Sequence, residues 1–431
     1  MKKWVMTAGA IAGFVGLVPS STSTGVTSLA QQTRWAGAWT TAAQRATGAA
    51  GLSLDPTYFE PNWSEKGFAD QTVRQVVRVT AGGTQVRIQL SNQYGGRPLH
   101  IASATIARSS AGAAVQSQSM RVLRFDGART VTIPRGGRAS SDAVPLRVRA
   151  GEHLTVSMYL SGPTGPATFH YYALATSYRS SGDHASDRQA TAFTARSHSW
   201  YYLVGVDVRG AGVMSQTVVA FGDSITDGAF STVDLDNRYP DVLADLLGRG
   251  RHAVAVVNEG IFGNRLLNDS RCFGNSALSR FHRDVLDRPE VGTLIVLEGI
   301  NDIWMSDANG FSCLEPNPTV SAEQMIAAYR ALIDGAHRRG IRVIGATLLP
   351  YGGFASYSHR GEAVRQVLNS WIRDTHTFDA VIDFDAVVRD PAHPDRMLPT
   401  FDSGDHLHPN DRGYEVMAEA AFSVLSRGPQ R

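Results

Sequence analysis

Two hydrophobic periods divide the chain. Val86, Ile88 and Leu90 alternate with Gln85, Arg87 and Gln89, the two-residue period of a half-buried strand. Val73 to Val79 forms a second such run, and Ala81-Gly82-Gly83 reads as the turn joining the two in a hairpin. Leu154, Val156, Met158 and Leu160 repeat the alternation, and clusters such as Pro134-Arg135-Gly136-Gly137 separate the runs. No long helix-period segment interrupts them. Residues 34–205 are therefore expected to form an all-β domain, a sandwich of jelly-roll type.

From Thr217 the pattern changes. Short apolar runs (Thr217 to Phe221, Ala253 to Val257, Thr293 to Leu297, Arg342 to Leu348, Ala380 to Phe384) alternate with helical patterns. Between the third and fourth runs, Ser321-Ala322-Glu323-Gln324 makes a capping box, and Gly340 follows Arg338-Arg339 at the far end of the same helix. A final helix is expected near Tyr414 to Leu425. Such alternation specifies a parallel sheet with helices on both faces, here over residues 215–427.

The chain length of 431 residues suits two domains. A formal net charge of +2 gives no reason to expect a nucleic-acid partner. Lys2-Lys3 followed by the apolar stretch Trp4 to Val18 has the form of a secretory leader, and Ser28-Leu29-Ala30 offers a cleavage site. Residues 1–30 are read as a signal peptide, and the mature chain as secreted, with no stable membrane insertion. Cys272 and Cys313 are the only cysteines, and an even pair in an exported chain favours a disulfide. Loop closure between them would contribute about 4 kcal/mol.

The candidate chemistry sits at the ends of the predicted strands. Gly222-Asp223-Ser224 follows the first run, where open α/β sheets place their ligands. Far downstream, Asp405-His406-Leu407-His408-Pro409 supplies a base and an orienting carboxylate, the two groups a serine hydroxyl needs to act as a nucleophile. No Gly-x-Ser-x-Gly surrounds Ser224, so the nucleophile elbow is excluded. Asn258-Glu259-Gly260-Ile261-Phe262-Gly263-Asn264 follows the second run and Gly299-Ile300-Asn301-Asp302 the third.

In order and content these four blocks resemble those of the SGNH (GDSL) hydrolase superfamily. The resemblance implies a flavodoxin-like three-layer α/β/α domain. It also implies Ser224 as nucleophile, His408 as base and Asp405 as its partner. The backbone N–H groups of Ser224 and Gly263 and the side-chain amide of Asn301 would form the oxyanion hole. The three-residue spacing from Asp405 selects His408 over His406. Asp223 is read as a turn-stabilising hydrogen bonder, or with Ser224 as a helix cap. No ligand cluster of convincing spacing suggests a metal, and no cofactor is expected.

Trp304 leaves the same strand end as Asn301, and Tyr351 and Phe354 follow Leu348-Leu349-Pro350; all three are candidate substrate contacts. Trp35, Trp39, Trp63, Phe169, Tyr171 and Tyr172 of the β-domain are read as packing residues, with sugar stacking as the alternative. An amino-terminal β-domain before an SGNH domain is similar to the layout of some bacterial carbohydrate esterases and XynE-like esterases. The expected activity is a secreted serine esterase acting on a small-molecule or polysaccharide ester, above all small acyl (acetyl) esters of carbohydrates. Lipase or lysophospholipase, aryl esterase and acyltransferase are the alternatives.

Overall fold

The computed structural model describes Met1 and residues 34–47, 62–210, 216–249, 254–307, 312–374 and 376–427. Beyond Met1, the expected leader lies outside the described residues. Among the described residues, no helix is long and apolar enough to cross a membrane.

The alternating segments of the amino-terminal half pair antiparallel in two main sheets. One runs Ala36–Thr40, Leu203–Arg209, Gly83–Ser91, Arg138–Ser140, with Val144–Val148 also on Gly83–Ser91. The other runs Ala195–Ser197, Ser177–Ser181, Gln71–Arg78, His153–Leu160, Ser103–Arg108, Arg121–Val122. The alternation marks the inward faces. Val86, Ile88 and Leu90 of one sheet and Val73, Val77, Leu154, Val156, Met158 and Leu160 of the other fall in one buried cluster.

Gln71–Arg78 and Gly83–Ser91 are not the expected hairpin. They belong to different sheets, the first pairing with His153–Leu160 and the second with Leu203–Arg209. The backbone between them bonds elsewhere: Thr80 N–H donates to Ala38 O at 2.7 Å, and Gly151 N–H to Val79 O at 2.7 Å. Both strands carry an apolar face, and the two faces bury each other across the core of a sandwich.

The carboxy-terminal half builds a parallel sheet of β1 (Thr217–Gly222), β2 (Ala255–Gly260), β3 (Val291–Leu297), β4 (Arg342–Ala346) and β5 (Ala380–Ile382), ordered β2-β1-β3-β4-β5. The helices are α1 (Ser224–Asp227), α2 (Tyr239–Gly248), α3 (Ala277–Phe281), α4 (Ile300–Met305), α5 (Ala322–His337), α6 (His359–Asp374), α7 (Phe384–Val388) and α8 (Asp411–Ser426). The expected capping box opens α5, with Ser321 and Gln324 exchanging side-chain-to-backbone bonds. Phe384, expected at a strand end, instead starts α7, because the Asp383 side chain caps that helix through Ala386 N–H. This strand order is flavodoxin-like, and its direction reverses between β1 and β3, which opens a crevice beyond their carboxyl ends.

The halves are joined by specific bonds. Thr80 Oγ1 donates to Val256 O (2.7 Å) and accepts from Val256 N–H (3.2 Å). Buried Glu259 accepts from Thr40 Oγ1 and pairs with Arg288 Nε at 2.7 Å.

Candidate active site

Ser224 is the first residue of α1, immediately beyond β1. Asp223 caps that helix, its Oδ1 accepting from Ile225 N–H at 3.0 Å. Gly222 is required here: a Cβ would lie 2.2 Å from Thr226 Oγ1 and 2.4 Å from Leu297 O. The side chain of Ser224 meets the loop before α8. His408 Nε2 lies 2.8 Å from Ser224 Oγ, and His408 Nδ1 lies 2.6 Å from Asp405 Oδ2. Asp405 Oδ1 accepts from the N–H groups of Leu407 (2.9 Å) and His408 (2.8 Å) and from Ser403 Oγ (3.0 Å), which fixes the carboxylate's plane.

Burial opposes the charge of Asp405. The facing His408 and the backbone N–H groups outweigh it and hold the carboxyl well below the usual carboxylate range. His406 has its own carboxylate, Asp402 Oδ2 at 2.6 Å from Nδ1, and it stands at the cavity wall against Gly353. Among the described contacts only His408 reaches Ser224.

Beneath the serine lies a group of buried acids. Burial pushes Asp223 up to about 7, against the bond from Ile225 N–H, and its Oδ2 has no hydrogen-bond partner among the described residues. Glu298, next beyond β3 in the register that sets Gly222 beside Leu297, is raised by burial and by Asp223. Arg280 is the cation among them. Its side chain, fully buried, donates to Gly222 O (2.8 Å), Glu259 O (2.7 Å) and Asn264 Oδ1 (2.8 Å) and pairs with Glu298 at 3.2 Å. It therefore ties the ends of β1 and β2 to the turn that carries Gly263. Sequence reasoning missed Arg280: an arginine inside a helical pattern carries no mark of full burial.

Gly263 turns with φ +72°, and a Cβ there would strike the Phe273 ring at 2.3 Å, so only glycine fits. The stretch beyond it is held by Asp302, whose oxygens accept from Leu266 N–H (2.5 Å) and Leu267 N–H (2.9 Å). Burial pushes Asp302 up to about 6 despite these bonds. Asn301, in α4 beyond β3, donates Nδ2–H to Asn264 O at 2.8 Å and accepts Trp304 Nε1–H on Oδ1 at 2.8 Å. Trp304 thus sets which way the amide faces, and one amide hydrogen is left for the cavity.

Ser224, Gly263, Asn301, Asp405 and His408 share one cavity of about 430 Å³ with Trp304 and Phe354. Phe230, Phe262, Phe273, Met305 and Leu407, not singled out from the sequence, complete a mostly apolar wall. Phe262 stacks on the His408 ring at 5.9 Å and 16°. Tyr351 does not line this cavity. It is fully buried, its ring 5.1 Å from Tyr357, because the apolar Leu348-Leu349 run carries on inward past Pro350. Trp39, Trp63, Phe169 and Tyr171 are buried in the sandwich core, as packing residues. Cys272 and Cys313 are disulfide-bonded with Cα atoms 5.7 Å apart, and Phe273 of the cavity wall directly follows the bridge.

A serine whose hydroxyl is bonded to a carboxylate-backed imidazole, beside an amide with one hydrogen left over, can form and hydrolyse an acyl-enzyme. Residues 220–416 match the GDSL-like Lipase/Acylhydrolase family model. No curated protein matches the chain. Among solved structures, a G-D-S-L family protein from Desulfitobacterium hafniense DCB-2 is 25% identical, over 48% of this chain and 98% of its own, with a TM-score of 0.37. A mutant of an acetylxylan esterase from Geobacillus stearothermophilus is 19% identical over 49% and 94% (TM-score 0.37). The aryl esterase of M. smegmatis is 15% identical over 50% and 100% (TM-score 0.40). Residues 220–416 thus form a GDSL-like lipase/acylhydrolase domain of the SGNH superfamily, and the chain is a carboxylic ester hydrolase.

Proposed function

We propose that the chain is an exported serine esterase for esters carrying a compact apolar group. Ser224 attacks the ester carbonyl while His408 takes its proton. The oxyanion forms against Ser224 N–H, Gly263 N–H and the free amide hydrogen of Asn301. His408 then protonates the leaving alcohol and activates the water that releases the acid, with Asp405 holding the imidazole in place throughout. The observation that carries this reading is the 2.8 Å contact of Ser224 Oγ with His408 Nε2, backed by Asp405. Export rests on the Lys2-Lys3 leader pattern and is consistent with the disulfide.

The cavity wall bears on the substrate. Among the described residues that line it, apart from the triad and Asn301, the polar side chains are Ser356 and His406, against five aromatic rings. A sugar is held by several directed hydrogen bonds, whereas an aryl or short acyl group needs mainly apolar contact. The wall therefore favours aryl or short-to-medium acyl esters over the acetylated glycan that the domain layout suggested.

Hydrolysis of p-nitrophenyl esters of rising chain length, phenyl acetate and acetylated xylan by the purified chain tests this. The aryl and short acyl esters are expected to be the better substrates. Efficient release of acetate from xylan with weak turnover of phenyl acetate would restore the glycan reading. Loss of no activity in Ser224→Ala would remove the serine mechanism itself.

A further inference from the structure

His170 lies in the amino-terminal β-domain, in the short antiparallel pair of Phe169–His170 with Trp200–Tyr201, yet its ring ends beside the nucleophile's helix. It is 2% exposed, and its Nε2 lies 2.9 Å from Oδ1 of Asp227, the last residue of α1. Its Nδ1 lies 2.9 Å from Ala42 O. Both ring nitrogens face oxygen atoms, Ala42 O on one side and Asp227 Oδ1 on the other, so the ring is fixed in plane. Trp200 lies against the ring at 5.6 Å.

The other oxygen of Asp227 points to the oxyanion turn. Asp227 Oδ2 accepts from Phe262 N–H at 2.9 Å. Phe262 is the residue before Gly263, and its ring stacks on His408. One buried carboxylate thus joins the amino-terminal domain to both the expected oxyanion donor and the base.

We propose that His170 is a positioning residue for ester hydrolysis, supplied by the amino-terminal domain to hold Asp227 and, through it, the Phe262–Gly263 turn. The proposal rests on the serine-esterase reading above, in which Gly263 N–H meets the oxyanion. Asp227 with one oxygen on Phe262 N–H has a free torsion about its side chain; the imidazole removes it. Without His170 the carboxylate is left buried and unpaired at that end, and it is expected to turn away from Phe262. The turn then loses its register with the reacting carbonyl. The amino-terminal domain on this account is a part of the active site, contributing one residue that touches no substrate.

The test uses the full chain and p-nitrophenyl acetate, with His170→Phe, His170→Gln, Asp227→Ala and the double variant His170→Phe/Asp227→Ala. Phenylalanine keeps the ring packed on Trp200 and donates nothing; glutamine restores a donor. For His170→Phe, kcat is expected to fall at least ~tenfold with KM changed less than ~threefold, as displacement of a group near the reacting atoms predicts. His170→Gln should recover most of the rate. Asp227→Ala should match the Phe variant, and the double variant should be no slower than Asp227→Ala, since both act through one carboxylate.

Wild-type kcat in a folded His170→Phe protein overturns the proposal, as does equal loss in the Phe and Gln variants with unchanged activity in Asp227→Ala. Where His170→Phe does not fold, His170→Gln against Asp227→Ala decides: near-wild-type rate in the first and a large loss in the second support the link, and the reverse refutes it. A Ser224→Ala control separates the two readings, because activity that survives it defeats the serine mechanism whatever His170 does.

Discussion

Asn301→Ala removes three things at once, and their sizes can be separated. The amide hydrogen left for the cavity is lost, and with it one donor to the oxyanion. Such a donor is worth about 3–4 kcal/mol in the transition state, so kcat should fall by roughly 10²–10³. KM should move little, because the neutral ester carbonyl draws far less on that hydrogen than the tetrahedral oxyanion does. The variant also leaves Trp304 Nε1–H without its acceptor and Asn264 O without its donor, both at 2.8 Å in the native chain. Two buried polar groups left unpaired cost about 1–3 kcal/mol each, which should lower Tm by several degrees.

Trp304→Phe isolates the orienting bond. It keeps both amide hydrogens of Asn301 but frees Oδ1 to turn, so its kcat loss should be smaller than that of Asn301→Ala. The assay is steady-state hydrolysis of p-nitrophenyl acetate at fixed pH, with thermal unfolding of each variant alongside. A steep rise in KM at unchanged kcat for Asn301→Ala would refute the reasoning, because Asn301 would then bind the ground state. A kcat for Trp304→Phe as low as for Asn301→Ala would show that the ring itself, and not the amide, carries the effect.

Ser224→Ala should retain the native circular-dichroism spectrum and lose hydrolysis, and a phosphonate ester should label Ser224 in the wild type; labelling of another serine would move the nucleophile. His408→Ala should be far more damaging than His406→Ala, with Asp405→Asn between them, and equal kcat losses at the two histidines would contradict the assignment. Unreduced peptide mapping should recover the Cys272–Cys313 pair, and Cys313→Ser should lower the unfolding free energy from urea titration by an amount near the ~4 kcal/mol of loop closure. Asp223, raised to about 7 by burial, should destabilise the fold as it ionises. Its native carboxyl holds a proton that the unfolded chain gives up near 4, so the contribution is present at low pH and is lost as pH rises from about 4 through 7. The stability of Asp223→Asn relative to wild type should therefore grow across that range in urea titrations, and a pH-independent difference would count against it.

What could be read from the sequence follows the geometry of strand ends. Ser224, Gly263 and Asn301 were legible because each stands one short step beyond an apolar run, and the parallel sheet brings those steps together. Asp405 and His408 were legible because their bond is local, three positions apart on one loop. The local signal failed where the chain between two strands had a second choice of partner. Ala81-Gly82-Gly83 has turn composition, but nothing in it says whether the next strand lies beside the last or across the core. Tyr351 failed for a similar reason, since an apolar run does not say at which residue it surfaces. His170 and Arg280 were illegible altogether. Their partners sit on other elements, and a lone histidine among aromatics or a lone arginine in a helix is ordinary until its neighbours are known.

The bonds from Thr80 to Val256 have a further meaning for the sheet. β2 is the outermost strand on its side, and Val256 directs both its N–H and its C=O away from β1, toward Thr80 Oγ1. A hydroxyl from the sandwich thus occupies a rung that a foreign strand would otherwise take, and Ala36–Thr40 lies along the same border. Cut free of the sandwich, the hydrolase half would present a ready template for pairing with its own copies. Expressing it alone is therefore expected to give aggregates rather than a minimal enzyme, and recombining such domains between proteins has to carry the guard strand with the sheet it guards.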